Sequence, residues 1–169
     1  MIFDMTQRAG GGDTVYYNTQ GHIYFENIDF PDTVSDLKVV FYNTGGYSHL
    51  KSISGLAKTT TNAPGSQFRG LPNLETVILP RACHFYATAF RDCTKLKTCT
   101  LGSVGYPVVV TRSTTFQNDT QSNLTITMYV NASTLAEAQA ISDVGALAPW
   151  GATNATIIYR SSSTGEVLT

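Results

Sequence analysis

Apolar residues in the middle of the chain recur in a pattern that repeats rather than one that follows a helix. Sliding the sequence by 22 residues superimposes Phe68–Leu79 on Phe90–Leu101, with five identities in twelve positions. Each copy has an aromatic residue, a polar loop and a run of the form L-x-x-φ-x-L, in which φ is apolar. Because alternate residues of a strand point to one side, the run predicts a short strand with its apolar positions facing one interior.

Two weaker copies flank this pair, one at Leu50–Ile53 and one that starts at Phe116 and continues at Leu124–Met128. The leading leucines are 24, 22 and 28 residues apart, so the repeats are irregular in length. One such unit cannot bury its apolar side alone, whereas stacked units form a solenoid. The residues expected to line one continuous interior are Phe68, Leu71, Leu74, Val77, Leu79, Phe90, Cys93, Leu96, Cys99 and Leu101.

The pattern divides the chain into five parts. Residues 1–12 form a Gly-rich N-terminal arm, and residues 13–47 hold three runs typical of strands, which are either a cap or a degenerate repeat. The repeat array spans residues 48–130. Residues 131–159 form a C-terminal cap, with a helix that starts at the capping box Thr134-x-x-Glu137 and a last strand near residues 155–159. The Ser/Thr-rich tail, residues 160–169, is expected to fray.

These parts together predict the fold class. We expect a mainly β protein, a short irregular leucine-rich-repeat-like solenoid with an N-terminal β-strand region and a helix-containing C-terminal cap.

The amino-acid composition and charge argue against two classes of partner, nucleic acids and membranes. Charged residues make up 14% of the chain, against about 25% in a typical soluble domain, and the net charge is −1. Such a chain has no electrostatic field that would gather nucleic acid, so no nucleic-acid partner is expected. No run of about 18 apolar residues occurs, and the N-terminal residues do not have the pattern of a signal peptide, so no membrane insertion is expected.

Residues whose side chains could catalyse a reaction or bind a metal ion are scattered along the chain. Cys93 and Cys99 occupy positions that are Leu71 and Val77 in the neighbouring copy, which favours small core residues over ligands or nucleophiles. Cys83 and His84 are adjacent, and adjacent residues rarely bind one metal ion. No known catalytic or phosphate-binding motif is present. We therefore expect no catalytic residue, no cofactor and no metal ion.

Tyrosines near the N-terminus are the candidate binding residues. They alternate along the predicted strands, so some should face outward, where Tyr can stack on a sugar or anchor a protein partner. The alternative is that they pack between subunits or against loops. The candidate partner contacts are Tyr16, Tyr17, Tyr24, Tyr42 and Tyr47.

The segment Ala89-Phe90-Arg-Asp-Cys93-Thr-Lys-Leu96-Lys-Thr-Cys-Thr-Leu101 resembles the AF-x-x-C-x-x-L-x-x-I-x-L-P unit of BspA-like leucine-rich repeats. Leu79-Pro80 matches the proline that ends the strand in that unit. Residues 126–159 are similar to the closing module of such arrays, although Asn131 stands where that module usually has proline. The insertion 102–115 also departs from the repeat.

Members of this family are bacterial surface adhesins, protozoan surface proteins and modules of bacteriophage tails or virions. The resemblance implies a non-catalytic structural or binding protein. Because no secretion signal or anchor is recognised, we expect a virion component (capsid, fibre or tail) assembled in the host cytoplasm. Its expected partners are identical subunits or virion proteins, contacted through residues 1–47, with a host-surface glycan or protein as a further candidate. The alternative is a carbohydrate- or protein-binding module of a bacterial cell-surface adhesin.

Overall fold

A computed structural model describes residues 14–16, 26–32, 36–39, 49–56, 58, 68–85 and 87–169 of the chain, with backbone alone for 14–16 and 36–39. These residues form short strands, one α-helix and one 3-10 turn. The elements are β1 (Thr14–Tyr16), β2 (Asn27–Phe30), β3 (Asp36–Val39), β4 (Ser52–Gly55), β5 (Thr76–Leu79), β6 (Thr98–Leu101), β7 (Thr125–Val130), α1 (Leu135–Ala140), the 3-10 turn (Gly145–Leu147) and β8 (Thr156–Ser161).

Six strands form one parallel sheet in the order β2-β4-β5-β6-β7-β8, and β1 pairs with β3 in a separate parallel pair. Parallel neighbours require the chain to return to the same end of the sheet before each new strand. The chain does this in sequence order, which makes the fold a β-solenoid. The expected mainly β solenoid is therefore confirmed. The sheet includes β2 and β8, so it begins before residue 48 and continues beyond residue 130.

One hydrophobic core fills the interior. All ten residues expected to line it are at most 1% exposed, which confirms the repeat register. The aromatic residue that opens each turn packs against its equivalent in the next; the phenylalanine rings are stacked, whereas the Phe116 and Trp150 rings are tilted by 53°. Ring centroids are 5.3 Å apart for Phe68 and Phe90, 5.1 Å for Phe90 and Phe116, and 6.3 Å for Phe116 and Trp150. The 22-residue register therefore corresponds to a continuous aromatic column.

The turns that follow the individual phenylalanines of the aromatic column share a backbone conformation. Gly70, Asp92 and Asn118, each two residues after a column phenylalanine, have φ values of 73°, 64° and 71°. Gly, Asn and Asp are the residues that adopt this left-handed conformation most readily. Backbone bonds of 2.8 Å join successive turns, as when the Phe90 N–H donates to the Thr115 carbonyl. The turns thus repeat in conformation as well as in packing.

The C-terminal region contains the predicted helix and differs from expectation at its tail. The capping box is present: the Glu137 N–H donates to the Thr134 hydroxyl, and the Thr134 N–H donates to the Glu137 carboxylate. The expectation that residues 160–169 fray is wrong. Strand β8 extends to Ser161, the Leu168 N–H donates to the Tyr159 carbonyl at 3.0 Å, and Leu168 is buried. The tail folds back on the last strand because Leu168 adds apolar surface to the core.

Candidate functional site

The outward side of the sheet carries rows of polar side chains. In β5 to β7, Val77, Cys99 and Ile126 point inward, so the residues on either side of them point outward. Strand register aligns these outward residues into two rows. The first row is Asn27, Ser52, Thr76, Thr98, Thr125 and Thr156, and the second is Asp29, Ser54, Ile78, Thr100, Thr127 and Ile158.

Threonine dominates the rows on the last three strands. We call Thr98, Thr100, Thr125, Thr127 and Thr156 the threonine face. Thr98 pairs with Thr125 and Thr100 with Thr127 across neighbouring strands, and Thr125 pairs with Thr156. Parallel strands lie about 4.8 Å apart, and alternate residues of one strand about 6.6 Å apart. The face is therefore a regular grid of hydroxyl and methyl groups.

Hydroxyl groups at the two ends of the sheet are used differently. On β4, Ser52 donates to Asn27 Oδ1 and Ser54 donates to Asp29 Oδ1, both at 2.6 Å. On the threonine face, the Thr98 hydroxyl makes a long 3.4 Å contact with Thr76 Oγ1. The other four hydroxyls of that face have no hydrogen-bond partner in the described part of the chain. Those four are available to a ligand without breaking an intramolecular bond.

Alternating charges border the amino ends of the strands. Lys51 donates to Glu26 at 2.8 Å and Lys97 donates to Glu75 at 2.7 Å. The bond to Glu26 raises the pKa of the Lys51 ammonium, and the bond from Lys97 lowers the pKa of the Glu75 carboxyl. Lys95, two residues before Lys97, instead donates to the amide oxygen of Asn73 at 2.8 Å, so its charge is not paired with a carboxylate.

At the carboxyl ends of β7 and β8, larger side chains flank the threonine face. Tyr129 follows Thr125 and Thr127 on the same side of β7 and pairs in register with Arg160. The Arg160 guanidinium donates to the Gly165 carbonyl at 2.7 Å, so the folded-back tail holds it. Gly102 lies beside Tyr129, where an added Cβ would be 3.2 Å from the Tyr129 Cβ. Tyr129 therefore lies at the carboxyl end of the grid, beside Gly102.

The tyrosines predicted from the sequence to contact a partner fall largely outside the described residues. Only the backbone of Tyr16 is described, in β1. The remaining four candidates, Tyr17, Tyr24, Tyr42 and Tyr47, lie outside the described residues. Their role as partner contacts stays a prediction.

The cysteines are thiols, and their surroundings disfavour the thiolate. The Cys83 sulfur lies 3.3 Å from His84 Nδ1, and burial raises the pKa of the Cys83 thiol. Burial also raises the pKa values of the Cys93 and Cys99 thiols well above the usual value. A reactive cysteine needs the opposite shift.

Asp119 is a buried carboxyl that the sequence interpretation missed. It lies three residues after Phe116, at the inward position that Leu71 and Cys93 occupy after their own phenylalanines. Its Oδ1 accepts from the Cys93 N–H at 2.8 Å, whereas its Oδ2 is buried without a partner among the described residues. Burial raises the pKa of the Asp119 carboxyl from 3.8 to about 8. Aligning the turn that begins at Phe90 with the turn that begins at Phe116 would have identified this position.

Among the described residues, no group of three or more His, Cys, Asp or Glu side chains is arranged to hold a metal ion. Within the same ranges, no helix has the length and apolar character that a membrane crossing requires.

Comparison with known proteins gives no match: no family model, no curated protein and no solved structure is recognisably similar to this chain. The resemblance to BspA-like repeats therefore rests on the motif residues alone.

Proposed function

We propose that this protein is a non-catalytic binding protein whose solenoid presents the threonine face to a partner. The observation that carries the proposal is the set of in-register hydroxyls at Thr100, Thr125, Thr127 and Thr156, which make no hydrogen bond within the described residues. Hydroxyls that are not used by the fold can bond a partner at no cost to folding.

The packing behind the face supports a role in binding. Cys99, Ile126 and Met128, which alternate with the threonines, are at most 1% exposed. Close packing of these inward residues holds the strands, and with them the spacing of the outward hydroxyls. A surface that is already ordered loses little conformational entropy when it binds, which favours affinity.

The thiol chemistry also supports a role without catalysis. The raised pKa of each cysteine thiol keeps the sulfur protonated at neutral pH, which disfavours both nucleophilic attack and metal binding.

The biological setting we propose is a bacteriophage virion, in which the protein is a capsid, fibre or tail component that contacts identical subunits or other virion proteins. The support is the resemblance of Ala89–Leu101 to the BspA-like repeat unit, which virion proteins share with bacterial adhesins.

Immunogold electron microscopy with antibodies raised against the purified chain separates the settings. The virion proposal predicts gold particles on phage particles released from the host that carries the gene. Label on the surface of uninfected cells would instead identify a bacterial surface module. Label on neither, with the protein detected in the cell extract, would contradict both.

A further inference from the structure

A buried carboxyl lies in the last turn of the repeat array, next to the C-terminal cap. Asp119 is fully buried, and its Oδ1 accepts from the Cys93 N–H of the preceding turn at 2.8 Å. Its Oδ2 is buried too and has no hydrogen-bond partner among the described residues. The equivalent position of an earlier turn holds Leu71, so the repeat can be packed there without a carboxyl. A buried polar group that packing does not require is a candidate for a functional role.

Residues 115–121, which include this carboxyl, connect the array to the cap. Toward the array, the Phe90 N–H donates to the Thr115 carbonyl at 2.8 Å. Toward the cap, the Phe116 N–H donates to the Trp150 carbonyl, also at 2.8 Å. The segment forms turns rather than a strand, so it can move while the ladder of the sheet stays paired. Its movement would loosen the cap from the array.

We propose that Asp119 makes residues 115–121 a pH-sensitive joint between the array and the cap. The joint is closed while the carboxyl holds its proton, and ionisation of the carboxyl opens the joint and exposes Trp150. Such a response to pH does not depend on the proposed binding function.

The charges near Asp119 disfavour its ionised form. No cation pairs with this carboxyl in the part of the chain that the structure describes. Arg69 and Arg91 instead lie 3.7 and 3.3 Å from the Asp92 carboxylate. Burial raises the pKa of the Asp119 carboxyl to about 8, and repulsion by Asp92 adds to the effect of burial.

The other titratable groups that act on this carboxyl are neutral. They are the thiols of Cys93 and Cys99, whose own pKa values are raised well above the usual value by burial. From the cap, no titratable side chain among the described residues contributes to the raised pKa of Asp119. An ionised Asp119 would therefore be a buried charge with one neutral donor, and exposing that charge to water relieves the cost.

The direction of the response follows from the pKa of the carboxyl in the two states. In the closed joint the Asp119 carboxyl keeps its proton up to about pH 8, whereas a carboxyl exposed to water has a pKa near 3.8. Between these values the closed joint binds more protons than the open joint, so each rise in pH favours opening. We therefore expect a larger open fraction at pH 9 than at pH 6.

The fluorescence of Trp150, the only tryptophan in the sequence, measures opening directly. In the closed joint its indole is fully buried and donates from Nε1 to the Val144 carbonyl at 2.7 Å. From pH 6 to pH 9, we expect the emission maximum of the full-length protein to move to longer wavelength and acrylamide quenching to increase about twofold or more. The far-UV circular dichroism spectrum should be retained.

Two results would overturn the joint. One is emission and quenching that do not change with pH. The other is loss of the circular dichroism spectrum in parallel with the change in fluorescence, because the whole chain would then unfold rather than the joint open.

Three variants assign the response to Asp119. Asp119→Leu introduces the residue type found at Leu71, and Asp119→Asn keeps an oxygen for the Cys93 N–H, so both should stay closed at pH 9. Asp143→Asn removes an exposed carboxyl next to Val144 and should open as the wild type does. Wild-type opening in a folded Asp119 variant, or no opening in Asp143→Asn, would contradict the assignment.

Discussion

The two sides of strand β6 differ in how far the fold constrains them. Cys99 and Leu101 face inward, are at most 1% exposed and repeat the positions of Val77 and Leu79 one turn earlier. Thr100 faces outward, makes no side-chain hydrogen bond within the described residues and stands opposite an isoleucine on the preceding strand. Packing in the core therefore constrains the inward residues, whereas the outward residues can vary with function.

A second comparison, within the interior, shows that one position can hold quite different side chains. Leu71, Cys93 and Asp119 each lie three residues after a column phenylalanine, and all three are fully buried. The carboxyl is retained there because Asp119 accepts a backbone hydrogen bond from Cys93. The same position is apolar packing at Leu71, whereas Cys93 and Asp119 each bond to the preceding turn, the thiol by donating to the Phe68 carbonyl and the carboxyl by accepting from the Cys93 N–H.

The largest expected effect follows from breaking the aromatic column at its centre. Phe90 stacks on both Phe68 and Phe116, so Phe90→Ala should lower the free energy of unfolding by about 3–5 kcal/mol. Urea unfolding followed by circular dichroism measures the loss. Phe90→Leu retains part of the contact and should lose less. A loss below about 1 kcal/mol for the alanine variant would show that the column does not stabilise the repeats.

The second prediction concerns the buried carboxyl. Because folding raises the Asp119 pKa from 3.8 to about 8, the folded state binds more protons than the unfolded state between those values. Stability should therefore fall as pH rises through this window, by roughly 4 kcal/mol between pH 5 and pH 8.

Asp119→Asn removes this titration and still offers an amide oxygen to the Cys93 N–H. The difference in unfolding free energy between variant and wild type should grow in favour of the variant from pH 5 to pH 8. Urea unfolding at several pH values measures it, and parallel pH profiles for the two proteins would mean that Asp119 is ionised at neutral pH in the folded state.

A smaller effect is expected in the repeated turns. Asn118 has a positive φ of 71°, which alanine adopts at a cost of about 1–2 kcal/mol. Asn118→Ala should therefore be less stable than Asn118→Gly, although both variants lose the bond from the Asn118 amide to Asp92. Thermal melting of the two variants compares them directly, and equal melting temperatures would refute the conformational argument.

The smallest effect is expected at a buried cysteine. Cys99 is aligned with Val77 and Ile126 on the neighbouring strands, and Cys99→Val nearly conserves volume. The change in unfolding free energy should stay below about 1.5 kcal/mol, and binding through the threonine face should be unaffected. Loss of folding on this substitution would show that the thiol has a role beyond packing.

Much of the fold could be predicted because stacking forces equivalent residues into equivalent places. The recurrence of Phe90, Leu96 and Leu101 one step after Phe68, Leu74 and Leu79 was sufficient to predict the interior. The folded-back tail was missed because Leu168 is a single apolar residue in a polar segment, and a contact made by one residue leaves no periodic signal.

The candidate site could be predicted less well, for a related physical reason. Outward side chains are not constrained by packing in the core, so their pattern gives no repeat signal. Thr98 and Thr125 are far apart along the chain and become neighbours only through strand register. The Thr-x-Thr pattern at residues 98–100 and 125–127 was visible, but only the register shows that the pairs are adjacent. Asp119 was missed because an isolated aspartate in a loop is usually solvated.

The central claim, that the two sides of each strand have separate roles, is tested most directly by truncating neighbours on β6. Leu101→Ala and Thr100→Ala change adjacent residues on opposite sides, and urea unfolding of both variants gives comparable free energies. We expect Leu101→Ala to lose about 2–5 kcal/mol and Thr100→Ala to lose less than about 1 kcal/mol. Equal losses, or a larger loss for Thr100→Ala, would contradict the division between an inward side that holds the fold and an outward side that is free to bind.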